Sequence, residues 1–297
     1  MWDPILPAGT SPGNPVGHAG GARPTAPPTL GVGNDQEAAV HQPNATVGII
    51  GGSGLYSMFA DAPQLDLDTP YGAPSSPITV TEVDGHPVAF LARHGTDHHI
   101  PPHRINYRAN IWALHSLGVR RVMAPAAVGG LSPALGPGDL LVPDQLMDWT
   151  GGRTQTFHDD FGATGPAHAS FADPYCPRMR RVLLAAAQAH GWAAEDGGTM
   201  VVIDGPRFST RAESRFFQKQ GWAVVNMTGH PEAVLARELD MCYACLALVT
   251  DVDAGAEEGQ GVTVDEVMAV FSRSTERMRA LLLDAAGMAA QLQDDAG

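Results

Sequence analysis

Residues 223–255 read AVVNMTGHPEAVLARELDMCYACLALVTDVDAG, and this stretch decides the fold. Ala223-Val224-Val225 is a short apolar run that breaks at Asn226-Met227-Thr228. Pro231 suits the first turn of a helix, where its missing N–H costs nothing. Ala233, Val234 and residues 236–239 give that helix an apolar side. A second run, Cys242 to Val249, is too short and too uniformly apolar for anything but a buried strand. It ends in Thr250-Asp251-Val252-Asp253, where strand alternation sends both carboxylates out on one side. Strand–helix–strand with polar groups at the strand ends is where open α/β sheets hold ligands. The rest of the chain is therefore read for partners to Asp251 and Asp253.

Downstream, Thr263 and Glu266 have capping-box spacing at the head of a last helix, with Val264, Val267, Phe271, Met278 and Leu282 along one side. Upstream, Thr199 to Ile203 is a strand, and Gly205-Pro206-Arg207-Phe208-Ser209 turns it into a helix capped by Thr210 and Glu213. Residues 178–190 form another helix. Thr150 to Pro174 is a long irregular segment, of the kind that is often functional. Arg121 to Ala124 is a strand followed by a small-residue loop, 125–130, that offers a ligand only its backbone amides. Residues 139–142 and 146–147 are further strand pieces, and Asn106 to Leu117 is an amphipathic helix stopped by Gly118.

Ile78 to Val83 and Val88 to Leu91 are two strands around Asp84-Gly85-His86, and the second runs into Arg93-His94-Gly95. A cation at a strand end beside a glycine suits an anion as well as it suits a surface ion pair. Thr46 to Ile50 leads into Gly51-Gly52-Ser53-Gly54, which is either a plain tight turn or a loop that brings N–H groups to an anion. Ser57 stands at the third glycine position of a dinucleotide fingerprint, so a nicotinamide site is not expected. The histidines at 94, 98, 99 and 103 have helical spacing for metal pairs. Gly95 and Pro101-Pro102 oppose a helix there, and no ligand set is complete, so no metal is expected.

Composition bounds the rest. The formal charge of -14 excludes a nucleic-acid or anionic-membrane partner, which needs a basic face. No apolar run is long enough to cross a bilayer. The three cysteines have no zinc spacing and suggest no disulfide framework, which fits a reducing cytoplasm. The first 44 residues hold 8 of the 24 prolines and lack periodicity, so residues 1–45 are expected to be a disordered Gly/Pro-rich extension. Residues 46–297 then form one α/β domain.

Read together, Gly51-Gly52-Ser53-Gly54-Leu55, Arg93-His94-Gly95, residues 205–213, Asn226-Met227-Thr228 and Thr250-Asp251-Val252-Asp253 resemble the trimeric purine nucleoside phosphorylase family, specifically its 5′-methylthioadenosine phosphorylase branch, over roughly residues 46–285. The resemblance implies a mixed twisted β-sheet, partly closed into a barrel and flanked by helices, in a homotrimer. It implies phosphorolysis of S-methyl-5′-thioadenosine to adenine and 5-methylthioribose 1-phosphate, with phosphate as co-substrate and neither metal nor organic cofactor. The alternative is a purine nucleoside phosphorylase acting on 6-oxopurines such as inosine or guanosine. Phosphate would be held by Ser53, Arg93, His94, the Ala126-Ala127 backbone and Thr228. Met227 would lie under the ribose, Phe208 would pack on the base and Ser209 would help read it. His98, His168, Val264 and Val267 would surround the 5′ substituent, some of them across the trimer interface. Asp251 would be the acid for purine N7, and Asp253 would accept from the 6-amino group. Two carboxylates sharing a site push one pKa upward, and a carboxylate repels a 6-carbonyl, so the pair favours 6-aminopurines. Ala126 stands where the family usually has a hydroxyl, and Ser53 where it often has threonine.

Overall fold

The computed structural model describes residues 44–52, 55, 58–59, 62–160, 165–254 and 261–293. All but the last two residues of the expected extension lie outside them. The first two strands are β1 (Val47–Gly51) and the short β2 (Gln64–Leu65). A hairpin, β3 (Ile78–Val83) and β4 (His86–Ala92), follows. Its two-residue turn has Asp84 at φ 51° and Gly85 at φ 76°, the positive angles that a type I′ turn requires. Next come α1 (Tyr107–Ser116), β5 (Arg121–Gly130), β6 (Leu140–Val142) and β7 (Gln145–Trp149). The second half holds α2 (Pro177–Ala189), β8 (Ala194–Asp196), β9 (Thr199–Ile203), α3 (Arg211–Lys219), β10 (Val224–Asn226), α4 (Gly229–Glu238), β11 (Cys242–Val252) and α5 (Val264–Ala290). Both expected capping boxes are present, Thr210 with Glu213 and Thr263 with Glu266.

The strands make one mixed sheet in the order β2-β3-β4-β1-β5-β10-β9-β7, with β11, β6 and β8 branching from β5. No ladder among the described residues closes it into a ring. Alternation along β11 supplies both faces. Tyr243, Cys245, Ala247 and Val249 pack with Ile111 and Leu114 of α1 and Leu235 of α4. Ala244, Leu246 and Leu248 pack with Leu183 of α2 and Leu281 of α5. A strand covered on both faces must be apolar throughout, which is why Cys242 to Val249 shows no alternation in sequence.

Two expectations need correction. Residues 125–130 are not a loop: β5 continues through them, paired with β11 on one side and, at Gly129 and Gly130, with β10 on the other. Crowding selects their small side chains. A Cβ on Gly129 would lie 3.0 Å from Val225 and 3.1 Å from an Asp251 oxygen. Tertiary pairing has overridden weak local propensity. The second correction concerns the cysteines. Cys176, the N-cap of α2, is disulfide-bonded to Cys242 at the head of β11, with Cα atoms 5.2 Å apart. Sixty-six residues separate them, so sequence spacing carried no sign of it, and the cysteine-based case for a reducing compartment lapses. Cys245 is free and buried.

Branching at β5 makes room for a site. Its first residues pair with β1, the last at Ile49↔Met123, and β10 joins only at Gly129. Between these points one edge of β5 has no ladder partner. The C-terminal ends of β1, β4, β10 and β11 converge on that gap, a switch point of the kind where α/β sheets bind ligands.

Candidate active site

A cavity of about 240 Å³ fills the gap. Its lining includes Gly52, Arg93, His94, His98, Ala126, Ala127, Phe208, Ser209, Met227, Thr228, Asp251, Asp253, Val264 and Val267. Ser53 lies outside the described residues. His168 is exposed and does not line the cavity within one chain.

One end is built for an anion. Arg93 leaves β4 into the core, where it is 1% exposed. Its Nε and Nη2 donate to the two oxygens of Glu232 at 2.5 and 3.1 Å, and Nη1 donates to the Pro125 carbonyl at 3.1 Å. Burial opposes its charge, but Glu232 outweighs burial and raises the pKa. His94 donates from Nδ1 to the Ile100 carbonyl at 2.9 Å, which leaves Nε2 as an acceptor while the ring is neutral. Burial, then the adjacent Arg93, lowers its pKa to about 4, so it is neutral at pH 7. The His98 ring stacks on it at 4.7 Å. Across the gap the Asn226 side-chain Oδ1 accepts the backbone N–H groups of Thr228 and Gly229, both at 2.7 Å. Its amide donates to the Ala127 carbonyl at 3.3 Å. This fixes the turn that carries Thr228.

The other end is acidic and incompletely satisfied. Asp251 accepts from the Thr250 hydroxyl at 2.9 Å. Its carboxyl is pushed up to about 6, first by burial and, against the pull of Thr250, by Asp253 and Glu266. Burial is therefore the leading cause, and repulsion within the aspartate pair is secondary. Burial also raises Asp253. The Ser214 and Ser209 hydroxyls and the Ala254 amide pull against that rise, and the Asp253 Oδ2 and Ser209 Oγ atoms are buried without a hydrogen bond of ordinary geometry among the described residues. Both residues line the cavity, so they are open to a polar group of a ligand. Between the ends, Met227 and Phe208 are half-buried. At the rim Val264 is 63% exposed and Met268 44%, so the cavity opens to solvent there.

Sequence reading gave no role to Glu232, Met268 or Arg153. Glu232 shares a helix face with Leu235 and Ala236, an i, i+3, i+4 pattern that marks a buried acid. Arg153, from the irregular segment, donates to the carbonyls of Asp204, Met227 and His230 at 2.8, 3.0 and 2.5 Å. It thus ties the loop carrying Phe208 to the turn carrying Thr228, and nothing in the sequence pointed to it. The histidine cluster gathers no metal set: among the described residues no group of three or more metal-ligating side chains occurs.

Donors at one end, a paired acid at the other and an apolar floor between them define an enzyme that brings an oxyanion to a molecule with a polar ring. Residues 46–286 match the model of the phosphorylase superfamily. A relative from Mycolicibacterium smegmatis, S-methyl-5′-thioadenosine phosphorylase, is 58% identical over 80% of this chain and 89% of its own. A purine nucleoside phosphorylase from Streptomyces coelicolor is 56% identical over 81% and 88%. The structure of methylthioadenosine phosphorylase from Schistosoma mansoni with adenine superposes with a TM-score of 0.78 at 37% identity, covering 84% of this chain and 93% of that one. The chain belongs to the phosphorylase superfamily, and within it to the methylthioadenosine phosphorylase branch.

Proposed function

We propose that this protein cleaves S-methyl-5′-thioadenosine with inorganic phosphate, giving adenine and 5-methylthioribose 1-phosphate. The observation that carries this reading is the pairing, across one cavity, of a locked Arg93 with two buried aspartates. In the reaction a phosphate oxygen bonds to the anomeric carbon as the bond to purine N9 breaks. The electron pair leaves with the purine, which takes a proton at N7. Phosphate is already an anion and needs donors rather than a base; Arg93, the Thr228 hydroxyl, Ser53 and the amides of Ala126-Ala127 supply them, and no metal or cofactor is assigned a step. Asp251 supplies the proton. With a pKa of about 6 it is protonated in about one molecule in ten at pH 7, and a bound base that excludes water raises that share. Asp253 Oδ2 accepts from the 6-amino group, and Ser209 bonds the same ring. His98, Val264 and Val267 line the 5′ end.

The Streptomyces relative's name keeps a second reading in play, a preference for 6-oxopurine nucleosides. Aspartate at both 251 and 253 favours the 6-amino ring, because a carboxylate accepts from an amine and repels a carbonyl. Adenine release from methylthioadenosine with and without phosphate tests the activity, and kcat/KM for inosine measured alongside tests the preference. Release independent of phosphate, or a preference for inosine, defeats the reading. A homotrimer belongs to the same proposal. It is supported by the open rim beside Val264 and by exposed His168, Trp149 and Phe216, which a neighbouring copy would cover.

A further inference from the structure

Glu232 is 1% exposed, sits in the first turn of α4 and does not line the cavity. Both its oxygens are nonetheless spent on the site. One accepts from Arg93 Nε at 2.5 Å, and the other from Arg93 Nη2 at 3.1 Å and from the Tyr243 hydroxyl at 2.9 Å. With Nη1 on the Pro125 carbonyl, three of the five guanidinium N–H groups are engaged. Two remain, one on each Nη nitrogen, and Arg93 lines the cavity, so they are its donors for an oxyanion. Gly52 keeps the space beside Nη1 open: a Cβ there would lie 3.0 Å from Nη1 and 3.2 Å from the Pro125 oxygen. Stability alone does not account for the pair, since apolar replacement of a buried ion pair is often neutral or stabilising.

We propose that Glu232 is the positioning residue of the phosphate site. It holds Arg93 side-on so that the two remaining N–H groups are left for the cavity, and Tyr243 holds Glu232 in turn. This rests on the reading of Arg93 as a phosphate ligand. The ion pair has no net charge and His94 is neutral, so the described lining grips phosphate by aimed donors rather than by surplus positive charge. Orientation of the guanidinium therefore sets phosphate affinity.

Steady-state kinetics of the full chain, with phosphate and methylthioadenosine varied in turn, test this. Glu232→Gln keeps the shape but loses the side-on grip, and should raise KM for phosphate about 10- to 100-fold while KM for the nucleoside stays within about threefold. A purely structural role would move both constants together, and that result, or an unchanged phosphate KM, overturns the proposal. If Glu232→Gln does not fold, Tyr243→Phe decides. It removes one hydroxyl from the far side of Glu232 and should raise phosphate KM alone, about threefold; no change, or an equal rise in both constants, overturns the proposal. Arg93→Lys separates the two layers of inference. If it raises phosphate KM and the Glu232 variant does not, positioning alone falls; if neither does, Arg93 is not the phosphate ligand.

Discussion

The two ends of the cavity are prepared in opposite ways. At the anion end, side chains are held in place by protein and keep free groups for a ligand: Arg93 is held by Glu232 and Pro125, His94 by Ile100, and the Thr228 turn by Asn226. At the acidic end, burial leads, and both aspartates are less acidic than they would be in water despite hydroxyls beside them. On the proposed reading the first arrangement organises donors before phosphate arrives, so little reorganisation remains for the reaction. On that reading the second raises the proton affinity of the acid that a purine ring draws on.

The contrast breaks most severely at Arg93. Arg93→Leu leaves Glu232 buried and unpaired, which should cost about 3–5 kcal/mol of stability and reduce phosphorolysis at least about 100-fold. A melting curve and an initial rate at saturating phosphate check both. A variant of normal stability would mean that the anion end is not organised around this pair.

Asp251→Asn should act in the opposite sense on stability. Its folded-state pKa, about 6, lies above the ordinary 3.8, so the ionised form is penalised at neutral pH. The variant should gain up to about 3 kcal/mol at pH 7.5, and the gain should disappear as pH falls below about 4, where the carboxyl is protonated folded or unfolded. Urea unfolding at the two pH values measures this. The same variant should lose about 100- to 1,000-fold in kcat/KM for methylthioadenosine and shift the ratio towards inosine. It should also lose the limb on which wild-type kcat/KM falls as pH rises above about 6.

Gly129→Ala sharpens the comparison more gently. Its Cβ would stand 3.1 Å from Asp251 Oδ1 and 3.0 Å from Val225, a misfit worth about 1–3 kcal/mol. KM for the nucleoside should rise more than KM for phosphate, because the intrusion is at the base end. The smallest effect is expected at the rim. Met268→Ala removes a side chain that is 44% exposed, and should weaken methylthioadenosine relative to adenosine by about fivefold or less.

Much of the base end and the sheet was legible because local signals agreed there. Both capping boxes, the Asp-Gly turn, Pro231 at the head of α4 and the apolar run of β11 each act within a few residues. The polar motifs sit at the ends of such runs. Residues 125–130 misled because small side chains hide strand character until β10 and β11 lie beside them. The Cys176–Cys242 bond, the Arg153 clamp and the Glu232–Arg93 pair span 66, about 50 to 77, and 139 residues, and no periodicity reaches so far.

By itself the sequence determined where the capped helices begin, that both faces of β11 are buried, and which polar residues stand at the ends of the strands it marked. Those follow from side-chain chemistry acting over one or two turns of chain. Only the tertiary structure decided that β5 loses β1 before it gains β10, that the gap becomes the cavity, and that burial rather than paired charge leads the rise at Asp251. Dielectric environment and long-range pairing are properties of what surrounds a residue, and the surroundings exist only once the chain has folded.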